Sequence, residues 1–440
     1  MNKRYRTIVD MERTSLIFRV PPGQVFLGEM VSIELENGET RLGRITRLQR
    51  DRAFVEVFAG TRGISTDDYI SPMGRPLEAV FHSENLLGRI TDPFGEPLDG
   101  RAPVTRGKRI LLGGPSINPA ARSRPSEMIH TQIPAIDLFN TLVTGQKIPV
   151  FTVPGEPSNQ LMARIATQAQ TDVIVVGLIG VRFDEFTFFR EYFENAGAME
   201  KLRFIVNTAA DPLAARLAVP DRVLAEAEQW AFEGKNVLVL LTDMTMFAEA
   251  LKVLNVEQGN IPSRAGYPGS LYSDLARRYE VAADLSKACG GAITLVGCTT
   301  MPGGDVTSPV PDNTGYITEG QFYLSFGMID LAGSLSRLKQ LVQGKKTRED
   351  HQDLMNVLVR LRAEAQDRLE SFGKKTEDDY RYFDFAAEFD RRLMDLEVSM
   401  PIDDALDTGW DIMAKFFRPD EVRIRKEWIN KYGKWDSAGK

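Results

Sequence analysis

Cysteine and histidine are scarce in this 440-residue chain: Cys289 and Cys298, and His82, His130 and His351. Two cysteines cannot make a disulfide framework, and so few point to a reducing compartment. Both lie near the apolar segment 292–297, where plain core thiols are the simpler reading. The histidines are far apart, and no Cys/His pair has zinc-site spacing. Long apolar runs are also lacking. The longest plain one, Val173–Val181, is interrupted by glycines and falls well short of the ~18 residues that span a bilayer. The opening MNKRYRTIVDMERTS has no apolar stretch of a secretory signal. The expected location is therefore cytoplasmic, with membrane contact only through partners. Nor is there a basic excess. With 54 Lys+Arg against 61 Asp+Glu the net charge is −7, no basic stripe stands out, and no nucleic-acid partner is expected.

What is present is a globular composition, 43% hydrophobic and 26% charged, in a chain long enough for two to four domains. Residues 1–72 read as short strands at Ser15–Val20, Val31–Leu35, Arg41–Arg47 and Ala53–Phe58. Pro21-Pro22-Gly23, Asn37-Gly38 and Arg50-Asp51 punctuate them. That spacing suggests a small barrel or sandwich, with Asn37-Gly38 a two-residue hairpin signal. Loops and short strands rich in Gly and Pro follow, with DPFGEPLDG at Asp92–Gly100 nearly all turn chemistry. Beyond them, apolar strands at Ile148–Val153, Val173–Ile179, Arg203–Asn207, Val237–Leu241 and Ile293–Val296 alternate with helical patterns, Leu271–Lys287 among them. The alternation implies a parallel α/β sheet within residues 73–345. Strand signals vanish in 346–440, where Leu354, Val357, Leu358, Leu361 and Ala365 repeat at helical spacing. Thr347 with Asp350 and Thr376 with Asp379 resemble helix-start boxes. No internal repeat or low-complexity tract is present.

Ligands on a parallel sheet sit outside the carboxyl ends of its strands. The first core strand is followed there by Pro154-Gly155-Glu156-Pro157-Ser158-Asn159 and then a helix, where a phosphate loop belongs. A working loop reads G-x-x-x-x-G-K-[ST]. With Gly155 as its first glycine, Gln160, Leu161 and Met162 take the Gly-Lys-Ser/Thr places. A lysine about 4 Å from a phosphate oxygen adds roughly 4 kcal/mol of attraction at an effective dielectric near 20, and Leu161 adds none. Glu156, facing the cavity, would repel, and Pro157 removes a backbone donor. Taken alone, the segment is more simply an ordinary strand-to-helix turn with no ligand. Asp243, after an apolar strand, stands where such proteins keep a magnesium-side acid, although helix capping is the simpler role. Arg337, in GSLSR, is unremarkable alone, but its planar charged fork would suit a transferring phosphate delivered to it.

Taken together, several stretches are more specific. They are LGRITDPFGEPLDG (87–100), NPAARSRPSEMIHTQIPAIDLFNTLVTGQKIPVF (118–151), VLVLLTDMTMFAEAL (237–251), IPSRAGYPGSLYSDLARRY (261–279), PVPDNTGYITEGQ (309–321), SLSRL (334–338) and GKKTREDH (344–351). In this order the chain closely resembles the B subunits of V-type and A-type ATP synthases over nearly its whole length. The resemblance implies an N-terminal β-barrel, a central RecA-like parallel α/β nucleotide-binding-type domain and a C-terminal α-helical domain. It implies a non-catalytic subunit that alternates with three catalytic A subunits in an A3B3 ring and meets central and peripheral stalk subunits. ATP or ADP with Mg2+ would be bound mainly by the A subunit, and none tightly by this chain alone. Arg337 falls on the family's arginine finger, which acts in trans on the neighbouring A subunit. Tyr316 would line the same interface or, equally, be a core tyrosine. Ser336 would orient Arg337 or, more simply, start a helix. The complex would couple ATP synthesis or hydrolysis to H+ or Na+ transport. The alternatives are an inert structural ring subunit and an autonomous NTPase with a degenerate loop. The chain departs from the family in two places. Gln321–Ser334 is shorter than expected, with SFGM (325–328) in place of a longer basic loop, and Gly303-Gly304-Asp305 replaces a more acidic stretch.

Overall fold

The computed structural model describes residues 3–115 and 117–435, so the outermost residues of the 1–72 and 346–440 segments lie outside the described part. Near the N-terminus six strands form one antiparallel sheet. In spatial order they are Ile8–Met11, Ser15–Arg19, Arg52–Val57, Thr40–Gln49, Glu29–Glu34 and Tyr69–Pro76. Tyr5, just ahead of the first strand, exchanges both backbone hydrogen bonds with Ile70 at 2.8 Å, which joins the sheet's two edges into a barrel. Alternate residues point inward: Leu16, Phe18, Val31, Ile33, Val55 and Val57 fill the interior. The turn at Asn37-Gly38 has three residues rather than two. Leu35 and Glu39 close it with a 2.9 Å bond, and Gly38 takes a positive φ that splays the turn by one residue. The strands Ile8–Met11 and Tyr69–Pro76 were not legible, because their exposed positions break the alternation.

The second sheet is parallel through Gly320–Ser325, Lys147–Thr152, Ala292–Thr300, Asn236–Thr242, Val173–Val181, Leu202–Thr208 and Ile90–Thr91. Val173–Val181 shows why these strands read as continuous apolar runs. Ile174, Val176 and Leu178 enter the core on one face, and Val173, Val175 and Ile179 the core on the other. Helices Ser158–Gln168 and Phe183–Asn195 cover the first face, and Leu213–Phe232 and Met244–Glu257 the second. The helix expected over 271–287 stops at Tyr279. A short strand, Ala283–Asp284, then pairs antiparallel with Ala292–Thr300, because the apolar run after Tyr279 is drawn to the sheet rather than to a helix face.

The C-terminal part is helical: His351–Glu370, Glu377–Phe389, Ile402–Phe416 and Lys426–Tyr432, with a π turn at Asp390–Met394. Leu354, Leu358, Phe385, Phe389 and Trp410 join the same core as helix Ser158–Gln168, so this domain is packed onto one face of the sheet. Thr376 and Asp379 do form a reciprocal capping box. Thr347 does not cap. Its hydroxyl meets the His351 ring at 2.8 Å, and Asp350 occupies the cap position. No described helix is long and apolar enough to cross a membrane.

Candidate functional site

At the carboxyl ends of the strands lies a crevice of about 740 Å³, lined by Gly155, Glu156, Asn159, Arg182, Asp243, Thr300 and others. The chain leaves Lys147–Thr152 and turns at Gly155, whose φ of +100° belongs to the left-handed region that glycine tolerates. It then enters helix Ser158–Gln168 without a side-chain cap. The positions a phosphate loop would use are diverted. Leu161 and Met162 are 0% and 1% exposed and belong to the core shared with the helical domain. Gln160 is hydrogen-bonded to Glu397. Glu156 does not simply project into the crevice. Its carboxylate accepts the backbone N–H of Phe326 at 2.9 Å and of Gly327 at 2.8 Å. It thereby holds the tight turn that replaces the longer loop expected there.

Asp243 caps helix Met244–Glu257, accepting from Thr245 N at 2.7 Å and from Thr300 N at 3.3 Å. Burial pushes its carboxyl above the usual range, against those hydrogen bonds. Cys298 is buried in the crevice wall, and burial pushes its thiol up as well, while Cys289 is a half-buried free thiol. Among the described lining residues only Arg182 is basic, and it is paired with Asp184 at 3.0 Å. No described group of three His, Cys, Asp or Glu side chains could hold a metal. The residues of this crevice do not fit a magnesium triphosphate: no lysine lines it, Leu161 and Met162 stand at the lysine and hydroxyl places of the loop, and three glutamates, Glu156, Glu185 and Glu249, are in the wall.

Arg337 sits at the opposite end of the same strands. Gly320–Ser325 runs parallel beside Lys147–Thr152, and the two-residue strand Leu335–Ser336 pairs antiparallel with its start, Ser336 opposite Gly320. The approach is so close that a Cβ on Gly320 would lie 2.0 Å from the Leu335 carbonyl oxygen. Ser336 is therefore in a strand, not at a helix start. Only 1% exposed, it donates its hydroxyl to the Thr141 carbonyl at 2.9 Å and accepts from Gln146 Nε2 at 3.0 Å. Arg337 follows in a turn and is exposed. Its backbone N–H donates to the Glu319 carbonyl at 3.0 Å, and Nη1 donates to the Thr318 carbonyl, also at 3.0 Å. No carboxylate of the described residues pairs with it. Tyr316, two residues before Thr318 and on helix Pro309–Ile317, is 77% exposed. A six-residue strand spans about 20 Å. Arg337 and the chain's own loop are separated by that length and cannot serve one site. Sequence reasoning missed Thr141, Gln146 and Glu319, which surround Arg337. They sit in a loop and at strand ends, where periodicity carries no signal.

Three family models match this chain in order. Residues 19–74 match the ATP synthase alpha/beta family β-barrel domain, 132–331 the nucleotide-binding domain of the same family, and 341–433 the C-terminal domain of V and A type ATP synthase. Barrel, parallel sheet and helical domain together thus define a head subunit of the ATP synthase α/β class. The chain is similar to the V-type ATP synthase beta chain of Borrelia turicatae, 47% identical over 94% of this chain and 95% of the relative. It is also 47% identical to that of Treponema denticola, over 98% and 99%, and 48% identical to that of Protochlamydia amoebophila, over 93% of each. The chain belongs to the family of V-type ATP synthase beta chains, the B subunits of V/A-type ATP synthases. Membership makes it part of a V-type ATP synthase complex and makes its central domain one of nucleotide-binding descent.

Proposed function

We propose that this subunit does not hold the reacting nucleotide but completes an ATP site on a neighbouring catalytic A subunit through Arg337. The observation that carries the reading is the division of one sheet. Its phosphate-loop end has core residues at the lysine and hydroxyl places, while its other end presents an exposed arginine with no carboxylate partner among the described residues. ATP or ADP with Mg2+ is held by the A subunit. The Arg337 fork offers two N–H donors and a fixed positive charge to the γ-phosphate, where charge builds as the phosphoryl group transfers. Tyr316 lines the same interface, and Ser336 sets the backbone from which Arg337 projects. Residues 1–72, 73–345 and 346–440 act as barrel, nucleotide-type and helical units. The A3B3 ring, with its central and peripheral stalks, couples turnover to ion movement, and this chain meets the membrane only through those partners.

Co-expression with a cognate A subunit tests this. Arg337→Ala assembles at wild-type mass and lowers ATP turnover ~10³-fold or more. Assembled mutant complex turning over at the wild-type rate would refute the assignment. Steady hydrolysis by the purified chain alone would favour an autonomous NTPase instead.

A further inference from the structure

We propose that Gln146 is a positioning residue for Arg337, an inference that rests on the reading of Arg337 given above. Gln146 is fully buried in the loop just before the Lys147–Thr152 strand. Its Nε2 donates to the Ser336 hydroxyl at 3.0 Å and to the Glu319 carbonyl at 3.2 Å, and its Oε1 accepts from Val143 N at 3.0 Å. Each bond bears on Arg337. Ser336 is the residue immediately before it. The Glu319 carbonyl also accepts the Arg337 backbone N–H. The Ser336 hydroxyl passes the chain on to the Thr141 carbonyl. One desolvated amide thus ties the residue before the arginine to the carbonyl that holds the arginine's own backbone N–H. Farther out, the guanidinium has a single bond among the described residues, to the Thr318 carbonyl. A buried amide with every polar atom satisfied is rigid, because any displacement leaves an unpaired donor in low dielectric. Glu319 is fixed independently: its carboxylate accepts Lys147 N at 2.9 Å and pairs with the Lys147 ammonium, which also meets Glu280 at 3.4 Å. Gln146 therefore links a rigid strand start to the backbone from which Arg337 projects.

The test is a double-mutant cycle in the assembled A/B complex, read as kcat and KM for ATP. Gln146→Met keeps the length and volume of the side chain and removes its hydrogen bonds. Misplacing a catalytic group by about 1 Å costs up to ~10²-fold, so kcat falls about 10- to 100-fold with KM unchanged, since the fork is needed in the transition state and not for binding. Combined with Arg337→Ala, Gln146→Met lowers kcat no further. Wild-type kcat in Gln146→Met, or the same factor lost again on the Arg337→Ala background, overturns the proposal, because a general packing role is additive. Should Gln146→Met fail to assemble, Ser336→Ala takes its place in the same cycle and must show the same non-additivity with a smaller loss. Full activity of Arg337→Ala alone would instead sink the arginine reading, and the positioning role with it.

Discussion

The two ends of the central sheet are built in opposite ways. At the carboxyl ends Leu161 and Met162 have been absorbed into the apolar core, and the crevice wall carries glutamates. At the amino ends Thr141, Gln146, Ser336, Gln343 and His351 form a buried, mutually hydrogen-bonded group beneath Arg337. The contrast is one of packing requirements. Apolar packing needs only volume and shape. Holding a charged fork in place needs each buried polar atom behind it paired.

The largest effect expected from breaking this contrast is at the loop. Leu161→Lys restores the phosphate-loop lysine in sequence but puts a charge where the side chain is fully buried. It should cost about 4 kcal/mol or more, read as a fall in thermal midpoint, without conferring ATP binding. A variant with wild-type melting that binds ATP would show that the loop end lost only its chemistry. Next comes the network at the other end. His351 is held neutral, its ring pushed down to about 4 by burial, with Nε2 facing the Leu138 carbonyl at 2.9 Å. The unfolded ring titrates near 6.5. Between these values the unfolded chain binds the extra proton, so the stability His351 contributes is present above about pH 6.5 and is lost as pH falls toward 4. Relative to His351→Gln, the wild type should lose about 2 kcal/mol between pH 7 and 4.5 in denaturant titrations. Asp137, buried and pushed up to about 7 by desolvation against its hydrogen bonds from Thr131 and Gln132, works in the opposite direction but cancels in the difference. Parallel pH profiles for the two proteins would mean that His351 is not buried neutral.

Smaller effects sharpen the comparison. Arg337→Lys keeps the charge but not the fork, and one lost charge-assisted hydrogen bond of about 1.5 kcal/mol leaves turnover of the complex about tenfold below wild type. Turnover equal to wild type would mean that charge alone suffices. Smallest is Asp243→Asn, which keeps a cap acceptor. Stability should drop by less than ~1 kcal/mol, with no change in turnover of the complex. A large loss of turnover would return Asp243 to a magnesium-side role that its capping geometry does not require.

Much of this was readable residue by residue. The apolar runs of the central strands, the box at Thr376 and Asp379, and the missing lysine at Leu161 each express a local rule of periodicity, capping or charge. Where reading failed, competing contacts decided. Thr347 looked like a cap but bonds to His351, Ser336 looked like a helix start but pairs with Gly320, and the segment after Tyr279 followed the sheet. Glu156 looked repulsive, yet its carboxylate is taken up by the Phe326-Gly327 turn, 170 residues away.

By itself, the order of residues determined the class of fold and the absence of a lysine at the phosphate-loop place, because hydrophobic period and the identity of one residue are properties of single segments. Only the tertiary structure decided that Arg337 and that loop lie at opposite ends of one sheet, and that Gln146 stands behind the arginine. Those are distances between segments nearly 200 residues apart, set by parallel strand pairing, and no local pattern encodes them.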